Sequence, residues 1–423
     1  MNTKVKFDNG RDVTSDVPAK VKLVAVAKDE AAYLAEWVFF HLYMGFDAID
    51  IYLNRTSDNS AEVLEAIQRR YPMVNFYYAD WIDFCPFEVA GYIQYLVYAK
   101  AFAACRDEKQ FDYLMFLDID EFWMPDTLSY KVGNCITDNS GADCISFQWF
   151  NEKGKGKAFS NLSYDVTGWL APLMKSLFRV NAEIKKLRLH VPELKDGRIC
   201  LCDGTVYKAT PTKKECLQEE LHKLRKVMIV HRLFRSPKEY VSLLNRGRPT
   251  DTIPLKLNRE GYNFAGNPAP EQRFHIDRHS FALYQAAYTQ FLVDTQMEPL
   301  LETARRFVEQ RYRATLRNML KVPKAYFVSM MRVLRGVTLA SVSKDIYLGI
   351  RTYFSANRCT SSKELIALAK QVESVDLRLA LIVWRKALEL RPNGPMIKAR
   401  IAEYEAIKLK PGMKRADLTN KQI

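Results

Sequence analysis

Apolar runs of strand length alternate with helix-like segments in the first part of the chain, and this alternation restricts the fold more than any other feature. Four such runs precede Asp118: Val21 to Ala27, Ala48 to Leu53, Val74 to Tyr78 and Tyr113 to Leu117. Apolar residues at three- and four-residue intervals predict intervening helices over 31–44, 61–70 and 94–104. Such alternation implies right-handed βαβ crossovers and a mostly parallel sheet with helices on both faces. The predicted fold class is therefore α/β.

Acidic residues follow the fourth run directly, within the stretch FDYLMFLDIDEFW at residues 111–123. Asp118, Asp120 and Glu121 stand at the carboxyl end of a predicted buried strand, where an open α/β sheet places its ligands. If strand alternation continued, Asp118 and Asp120 would face one side and could share a Mg²⁺ or Mn²⁺ ion. Acids that cap a turn or pair with basic neighbours would look the same in sequence. The motif favours a metal site, and the residues that the fold brings near it decide between the two interpretations.

Two further polar segments end predicted strands: Lys28-Asp29-Glu30 after the first, and the loop from Asn54 to Asp58 after the second. Because the carboxyl ends of parallel strands meet at one edge, these segments should lie near Asp118 and Asp120. Together they could hold a nucleotide base and ribose at one end and a metal-bridged diphosphate at the other. The chain has no GxGxxG after the first strand and no GxxxxGK[ST], which argues against a dinucleotide dehydrogenase and a P-loop NTPase.

Taken together, VKLVAVAKDEAAYLAEWVFFHLYMGFDAIDIYLNRTSDNS and FLDIDEFW resemble the nucleotide-sugar glycosyltransferases of the GT-A fold, in the family-2-like and family-92-like branch. In that branch a Lys-Asn-Glu type tip, a Glu-Trp helix, a Gly-Phe-Asp turn and an Asn-x-Ser-x-Asp loop precede the Asp-x-Asp-Glu-Phe motif. Here Asp29 replaces the usual Asn, and the loop from Asn54 to Asp58 is one residue longer. The resemblance covers roughly residues 21–250. It implies a Rossmann-like GT-A sheet and a UDP- or GDP-sugar donor bound with Mn²⁺ or Mg²⁺.

The resemblance continues through residues 175–179 and 190–192, and through His231, Arg235-Ser236 and Gly247. It implies His231 as a third metal ligand beside the two aspartates. A core histidine fits equally well, since residues 227–230 form an apolar run of strand length. For His190 the structural interpretation is favoured. The resemblance also implies a set of nucleotide-binding residues: Lys28, Asp29, Glu30, Asn54, Asp58, Lys175, Arg179 and Arg235.

The implied reaction is transfer of a sugar to a hydroxyl of a glycan acceptor in surface polysaccharide or lipopolysaccharide synthesis. The branch is mostly inverting, which requires a carboxylate to accept the acceptor's proton. Candidates are Glu121, Glu152 and Asp196, although Glu121 could instead orient the metal and the other two could be ordinary loop acids. A sugar nucleotidyltransferase is one alternative, but it normally has a glycine-rich basic loop after its first strand. The other alternative, a non-catalytic scaffold with a decayed transferase domain, is disfavoured by retention of both aspartates.

Positive charge is concentrated in the last third of the chain. Residues 301–423 hold 25 Lys/Arg and 10 Asp/Glu, a net +15, so residues 1–300 carry −1 of the total +14. This distribution argues against a nucleic-acid enzyme with a basic cleft and for a basic appendage that meets an anionic membrane surface. Two groups could form its patches: Arg305, Arg306, Arg311, Arg313 and Arg317 on one helix, and Lys408, Lys410, Lys414 and Arg415 further on. Oligomerisation or acceptor binding would be the alternative role.

The expected organisation is a lead-in over 1–20, a catalytic domain over 21–284 and a basic helical domain over 285–423. Within the last, Ala380, Trp384 and Ala387 occur at tetratricopeptide-like offsets, which predicts one helix pair near 363–407. No apolar run approaches the length of a membrane span, and the polar start lacks a signal-peptide core. We therefore expect a cytoplasmic protein, peripheral on the inner face of the membrane, with eight reduced cysteines.

Overall fold

A ten-stranded sheet and a helical C-terminal region make up the protein. The computed structural model describes residues 18–247, 253, 255–264, 270–319, 322–323, 326–337, 361–410 and 413–419. This arrangement confirms the expected α/β class and the expected helical region after the sheet.

The strands have the following bounds: β1 (Val21–Ala27), β2 (Ala48–Leu53), β3 (Val74–Tyr78), β4 (Tyr113–Phe116), β5 (Glu121–Pro125), β6 (Cys144–Glu152), β7 (Asp165–Arg179), β8 (Ile184–Lys186), β9 (Glu193–Leu194), β10 (Ile199–Leu201), β11 (Val227–His231) and β12 (Gln272–His275). The helices are α1 (Ala31–Tyr43), α2 (Ser60–Arg70), α3 (Phe87–Ala90), α4 (Ile93–Glu108), α5 (Val132–Asp138), α6 (Pro237–Leu244), α7 (Arg278–Asp294), α8 (Glu298–Met319), α9 (Phe327–Leu334), α10 (Ser362–Glu373), α11 (Leu377–Leu390), α12 (Pro395–Glu405) and α13 (Ala416–Thr419). Short 3₁₀ turns lie at Asp80–Phe84, Glu219–Leu221 and Tyr262–Phe264.

The sheet has the order β3-β2-β1-β4-β7-β6-β11-β5, with β10 added to β6 and β12 added to β7. The half built from the alternating segments, β3-β2-β1-β4, is wholly parallel, as the sequence predicts. The other half is mixed, because β7 runs antiparallel to β4 and β6 and because β5 runs antiparallel to β11. The strand order reverses its direction of growth between β1 and β4, which is the position where such sheets bind ligands.

Helices cover both faces of the parallel half, as expected. In β1, Leu23 and Ala25 pack with α1 and α2, whereas Val24 packs with α4 on the other face. The same alternation separates Met115 from Phe116 in β4. Because most residues of β1, β2 and β4 are buried on one face or the other, these three runs are largely apolar, whereas β3 exposes Tyr77 and Tyr78 at its end.

The C-terminal helices are joined to the sheet through shared cores. Helix α7 and the start of α8 pack into the core of α1 and the sheet through residues such as Tyr284, Phe291 and Leu301. The end of α8 packs with α6 in a second core that also holds α9 to α12. Helices α7 and α8 are separated by a turn in which Gln296 has a φ of 51°.

The helices around Trp384 form a compact three-helix unit. Trp384 of α11 is buried and its indole N–H donates to Glu373 of α10 at 2.9 Å, while the Tyr404 hydroxyl of α12 donates to the same carboxyl at 2.6 Å. The predicted helix pair is present, with a third helix closing it. Helix α9 ends just before Gly336, and residues 338–360 fall outside the described residues.

The cysteines and helix hydrophobicity bear on two further expectations. The seven described cysteines are all free thiols, as expected for reduced residues. Among the described residues, no helix combines the length and apolar character that crossing a membrane requires.

Candidate active site at the carboxyl edge of the sheet

The acidic motif lies on a tight turn and not on an extended strand. Strand β4 ends at Phe116, and the backbone N–H of Glu121 donates to the Asp118 carbonyl at 3.0 Å as the chain turns into β5. The indole N–H of Trp37 donates to the carbonyls of Asp118 at 3.0 Å and Glu121 at 2.8 Å. Strand alternation therefore does not determine where Asp118 and Asp120 point, contrary to the sequence-based argument, and the two side chains meet different partners.

Asp118 and Glu121 share one buried lysine. The Lys175 ammonium, from the neighbouring strand β7, lies 3.5 Å from Asp118 and 3.1 Å from Glu121. Gln94 donates to the other Asp118 oxygen at 2.8 Å, and Glu121 accepts the Asp118 backbone N–H at 2.9 Å. Burial raises the pKa of Glu121 to about 7, against the opposing effect of Lys175. Despite its burial, the two carboxylates raise the pKa of Lys175, so this lysine is charged.

Asp120 lies against His231 at the end of β11. The carboxyl oxygen is 3.5 Å from His231 Nε2, and the ring of Trp149 packs 4.4 Å from the imidazole. His231 Nδ1 is buried without a hydrogen-bond partner among the described residues. Although burial disfavours the charged carboxylate, His231, Arg235 and Arg246 outweigh it and hold the pKa of Asp120 well below its usual range. We call Asp118, Asp120, Glu121, Lys175 and His231 the acidic cluster.

The acidic cluster fits a divalent cation in part. Within the described residues, no group of three or more His, Cys, Asp or Glu side chains could hold a metal ion, so the triad of Asp118, Asp120 and His231 is not assembled. Asp118 is engaged by Lys175 and Gln94. Asp120 and His231 are the adjacent pair, and Mg²⁺ commonly uses one or two carboxylates and completes its shell with water and substrate phosphates. These two residues suit a cation that is completed by a phosphate-bearing ligand.

The loop after β2 and the tip of β1 hold each other in place. Asp29 accepts hydrogen bonds from the backbone N–H and the hydroxyl of Ser57, at 2.7 and 3.0 Å. Asp58 accepts the Ala31 N–H at 2.9 Å and also bonds Ser60, so it caps the starts of both α1 and α2. Asn54 is buried and donates to the Ala79 carbonyl at 3.3 Å. The structure thus brings these expected nucleotide-binding residues to the predicted edge, with their side chains engaged in structural contacts.

Basic side chains gather around Glu30 at the same edge. Arg235 binds one Glu30 oxygen at 3.1 Å and stacks over the Tyr33 ring at 3.4 Å, while Arg246 binds the other Glu30 oxygen. Arg311 of α8 lies 3.5 Å from Asp29. We call the five cations of this region the arginine cluster: Lys28, Arg235, Arg246, Arg259 and Arg311.

Two residues of this region have left-handed backbone. Asp29 has a φ of 52° and Arg235 a φ of 51°, a region that residues other than glycine enter at a cost of about 1 kcal/mol. Such strain persists when the surrounding contacts fix it, and it concentrates at functional sites. Arg235 gives no sequence signal of this strain, whereas Asp29 gives a weak one, because aspartate enters the left-handed region more readily than most residues.

None of the three candidate bases is exposed to solvent at the acidic cluster. Glu121 is wholly buried behind Lys175. Glu152 binds Arg232 and Lys155, both at 2.8 Å, and despite burial these cations lower its pKa. Asp196 is exposed in the segment that leads to Arg198, whose backbone N–H bonds Asp143 at the amino end of β6. That position is the opposite edge of the sheet, so Asp196 does not join the cluster.

Arg179 is likewise at the opposite edge, contrary to the nucleotide-binding expectation. It pairs in register with Tyr113 at the start of β4, and its guanidinium donates to the carbonyls of Ser140 and Ala142. Its role is to tie β7 to the loop before β6. His190 has the structural role that was favoured: Nδ1 bonds the Met174 carbonyl at 2.8 Å, and burial, with repulsion from Lys175, lowers its pKa to about 4.

The arginines of α8 do not form one stripe. Arg311 is buried and turned toward the site, whereas Arg306, Arg313 and Arg317 are exposed on the outer face. Arg305 binds Glu298 at 2.7 Å. Sequence reasoning placed Arg311 with the surface arginines and missed Arg246 and Arg259. Helical spacing gave a partial signal for Arg311, since it is two positions from Arg313 and hence on another face.

An open groove of about 930 Å³ lies at the amino edge of the sheet, beside Lys22, Asp47, Asn75 and Phe111. There the Lys22 ammonium is already paired with Asp50 at 2.9 Å. Because α/β sheets bind ligands at the carboxyl ends of their strands, the candidate active site remains at the carboxyl edge, with the acidic and arginine clusters.

Comparison with protein-family models and with curated proteins finds no match to this chain.

Proposed function

We propose that the protein is a glycosyltransferase that moves a sugar from a nucleoside diphosphate sugar to a hydroxyl of a glycan acceptor. One observation carries the proposal: Asp120 and His231, a pair suited to a divalent cation, lie beside Arg235 and Arg246, whose charges act on the Asp120 carboxyl. A diphosphate needs both kinds of partner. The site also lies where an open α/β sheet binds nucleotides.

Lys175 has a defined role in this proposal. Asp118 and Glu121 would repel a diphosphate if both carried an unopposed charge. The buried Lys175 ammonium lies within 3.5 Å of both carboxyls and offsets that charge, which lets an anionic donor approach Asp120. When bound at Asp120 and His231, Mn²⁺ or Mg²⁺ would act as a Lewis acid and stabilise charge on the leaving diphosphate.

The acceptor class is supported by exposed aromatic side chains on a segment that contacts the acidic cluster through Gln94. Trp81, Phe84, Tyr92 and Tyr95 are exposed, with Phe84 at 92%. They lie on the segment that also carries Gln94, the hydrogen-bond partner of Asp118. Exposed aromatic groups of this kind mark interaction surfaces, and aromatic rings pack against the C–H faces of sugars. A glycan bound here would lie beside the proposed transfer site.

The test is turnover of UDP- and GDP-sugars by the full-length protein in Mn²⁺, with a glycan acceptor mixture and with hydrolysis measured separately. We expect one donor to be consumed and Asp120→Asn to reduce Mn²⁺-promoted UDP or GDP binding by at least about 100-fold, because a charged ligand is lost. The fold should be retained, since Asp120 is partly exposed and lies on a turn. Exposed Asp196, changed to Asn, is the matched control and should bind normally.

Three results would contradict the proposal. If no nucleoside diphosphate binds, a scaffold role gains support. If nucleoside triphosphates and sugar phosphates are the substrates, the protein is a nucleotidyltransferase. If Asp120→Asn retains full Mn²⁺-promoted binding, the metal assignment at Asp120 and His231 is wrong.

A further inference from the structure

The arginine cluster contains buried N–H groups that have no partner. Arg235 Nη1, Arg311 Nη2 and Arg259 Nε make no hydrogen bond with any of the described residues. Arg235 and Arg311 are both more than 90% buried. A buried donor left unsatisfied is destabilising, and more so when the group is charged, so three in one region call for an explanation.

The cluster is assembled around two adjacent carboxyls. Arg235 and Arg246 bind different oxygens of Glu30, and Arg311 binds Asp29, the preceding residue. Lys28 donates to the carbonyl of Arg246 at 3.0 Å. Five cations therefore converge where only Asp29 and Glu30 among the described carboxyls pair with them directly, although the charges of Asp120 and Glu239 also act on Arg235.

Burial and mutual repulsion lower the pKa of three of these cations, whereas nearby acidic groups, Glu30 first, raise the pKa of Arg235 despite its burial. Burial, with repulsion from Arg246 and Arg311, lowers the pKa of Lys28. Burial and repulsion from Arg246 likewise lower the pKa of Arg259 and of Arg311. Adding a nearby anion would relieve this repulsion and satisfy the unpartnered N–H groups.

The cluster opens toward Asp120. Tyr33, Asp120 and Arg235 line the same cavity of about 30 Å³, and the Tyr33 hydroxyl is a further buried group without a partner among the described residues. Arg246, with 25% of its side chain exposed, connects the buried arginines to solvent. Of the residues with unpartnered donors, Arg235 and Tyr33 thus share this cavity with Asp120.

We propose that Arg235, Arg246 and Arg311 bind the phosphate oxygens of the donor's diphosphate, so that α8 of the helical region completes the donor site. The ligand identity rests on the proposed function, whereas the anion-binding chemistry rests on the arginines themselves. Guanidinium groups bind phosphate through charge-assisted, often paired hydrogen bonds, which suits a site formed from three arginines. Diphosphate binding then has a component that needs no metal.

The experiment is calorimetric titration of the full-length protein with inorganic pyrophosphate and with UDP, in EDTA and at low salt. Arg246→Gln and Arg311→Gln should each weaken pyrophosphate binding by about 10-fold or more, since each removes a charge-assisted hydrogen bond. Arg313→Gln is the matched control, because Arg313 is on the exposed face of the same helix, and it should change the affinity less than about two-fold.

The outcomes separate this inference from the proposed function. Unchanged pyrophosphate binding by Arg246→Gln and Arg311→Gln, or no binding by the native protein, would overturn it even if sugar nucleotides are consumed. Should Arg311→Gln fail to fold in a thermal melt, the partly exposed Arg246→Gln decides alone. Arginine-dependent pyrophosphate binding without turnover of any sugar nucleotide would instead uphold the anion site and contradict the transferase.

Discussion

The acidic cluster and the arginine cluster lie side by side but differ in what they leave unsatisfied. In the acidic cluster, Lys175 already neutralises two carboxyls, and the unpartnered atoms within the described chain are Glu121 Oε1 and His231 Nδ1. In the arginine cluster, the unpartnered atoms are guanidinium N–H donors. The carboxyls of the acidic cluster are already paired with Lys175, whereas the arginine cluster has donors that could still bind an anion. Under our proposal, the arginines bind ligand directly while most of the acidic cluster supports Asp120.

The largest expected effect tests whether Lys175 is the support of the acidic cluster. Lys175→Met should destabilise the protein by about 3 kcal/mol at pH 8, because it removes the cation that stabilises the charged form of the buried Glu121 carboxyl. Lys175 holds down the pKa of Glu121, which is about 7 in the native protein, so the carboxyl of the variant takes up a proton more readily and the loss should be smaller at pH 5.5. Urea unfolding at both pH values measures the effect.

Two variants sharpen this test. Adding Glu121→Gln to Lys175→Met should restore part of the lost stability, because the uncompensated charge is removed. Lys153→Met breaks the exposed pair with Glu271 and should cost less than about 1 kcal/mol. If Lys175→Met costs no more than Lys153→Met, Lys175 does not neutralise the acidic cluster, and the contrast between the two clusters fails.

The two clusters also differ in how far sequence could predict them. Asp118, Asp120 and Glu121 are contiguous, so the motif and the strand before it were sufficient to place them at the carboxyl edge. The arginine cluster spans residues 28 to 311, and its members come together only through the packing of α6 and α8 on the edge of the sheet. No local pattern marks such a set. Arg235 entered only through the family resemblance.

The parallel half of the sheet was predictable because its strands carry a local apolar signal. The mixed half lacks such a signal where the burial of a residue depends on partners far away in the sequence. In β1 and β4 burial on both faces makes every residue apolar except Lys22, which is a strong local signal. Lys175 shows the limit of that reasoning, because it is a charged residue in the middle of β7 and is only 2% exposed. Its burial depends on Asp118 and Glu121, which lie more than 50 residues earlier. Asp58 was assigned to nucleotide binding, but it caps two helices, a role that depends on the spatial approach of α1.

A smaller effect tests whether protonation of the buried His41 destabilises the protein at acid pH. His41 Nδ1 bonds the Trp37 carbonyl at 2.8 Å, and Nε2 lies 3.3 Å from the Trp123 N–H as an acceptor, so the buried ring is neutral. Burial lowers its pKa to about 3. The unfolded chain takes up this proton below pH 6.5 and the folded chain does not. The stability that His41 contributes is therefore complete above about pH 7 and is lost as the pH falls toward 3.

The expected size is about 1.3 kcal/mol between pH 7 and pH 5.5, which follows from the linkage of one such group. Urea unfolding of His41→Gln should show a pH dependence reduced by that amount, whatever its stability at pH 7. His279→Gln, at an exposed position, should leave the pH dependence unchanged. Equal pH dependence in the native protein and His41→Gln would show that His41 does not couple acid to the turn beneath Asp118.

The smallest expected effect separates the two sets of arginines on α8. Arg311 belongs to the arginine cluster, whereas Arg306, Arg313 and Arg317 face outward and are the residues of this helix that could meet anionic lipid head groups. One arginine near such a surface contributes about 1 kcal/mol, so Arg313→Gln should weaken binding to phosphatidylserine vesicles about five-fold or less at low salt. Co-sedimentation with vesicles measures this, and binding should decrease as salt rises.

Arg311→Gln should leave vesicle binding unchanged while weakening pyrophosphate binding, because its guanidinium is buried. If Arg311→Gln and Arg313→Gln weaken vesicle binding equally, the division of α8 into a ligand-binding face and a surface-binding face is wrong. If the native protein ignores anionic vesicles at low salt, the outer arginines are better explained as an ordinary solvated face, and the donor-site role of Arg311 stands on the pyrophosphate measurement alone.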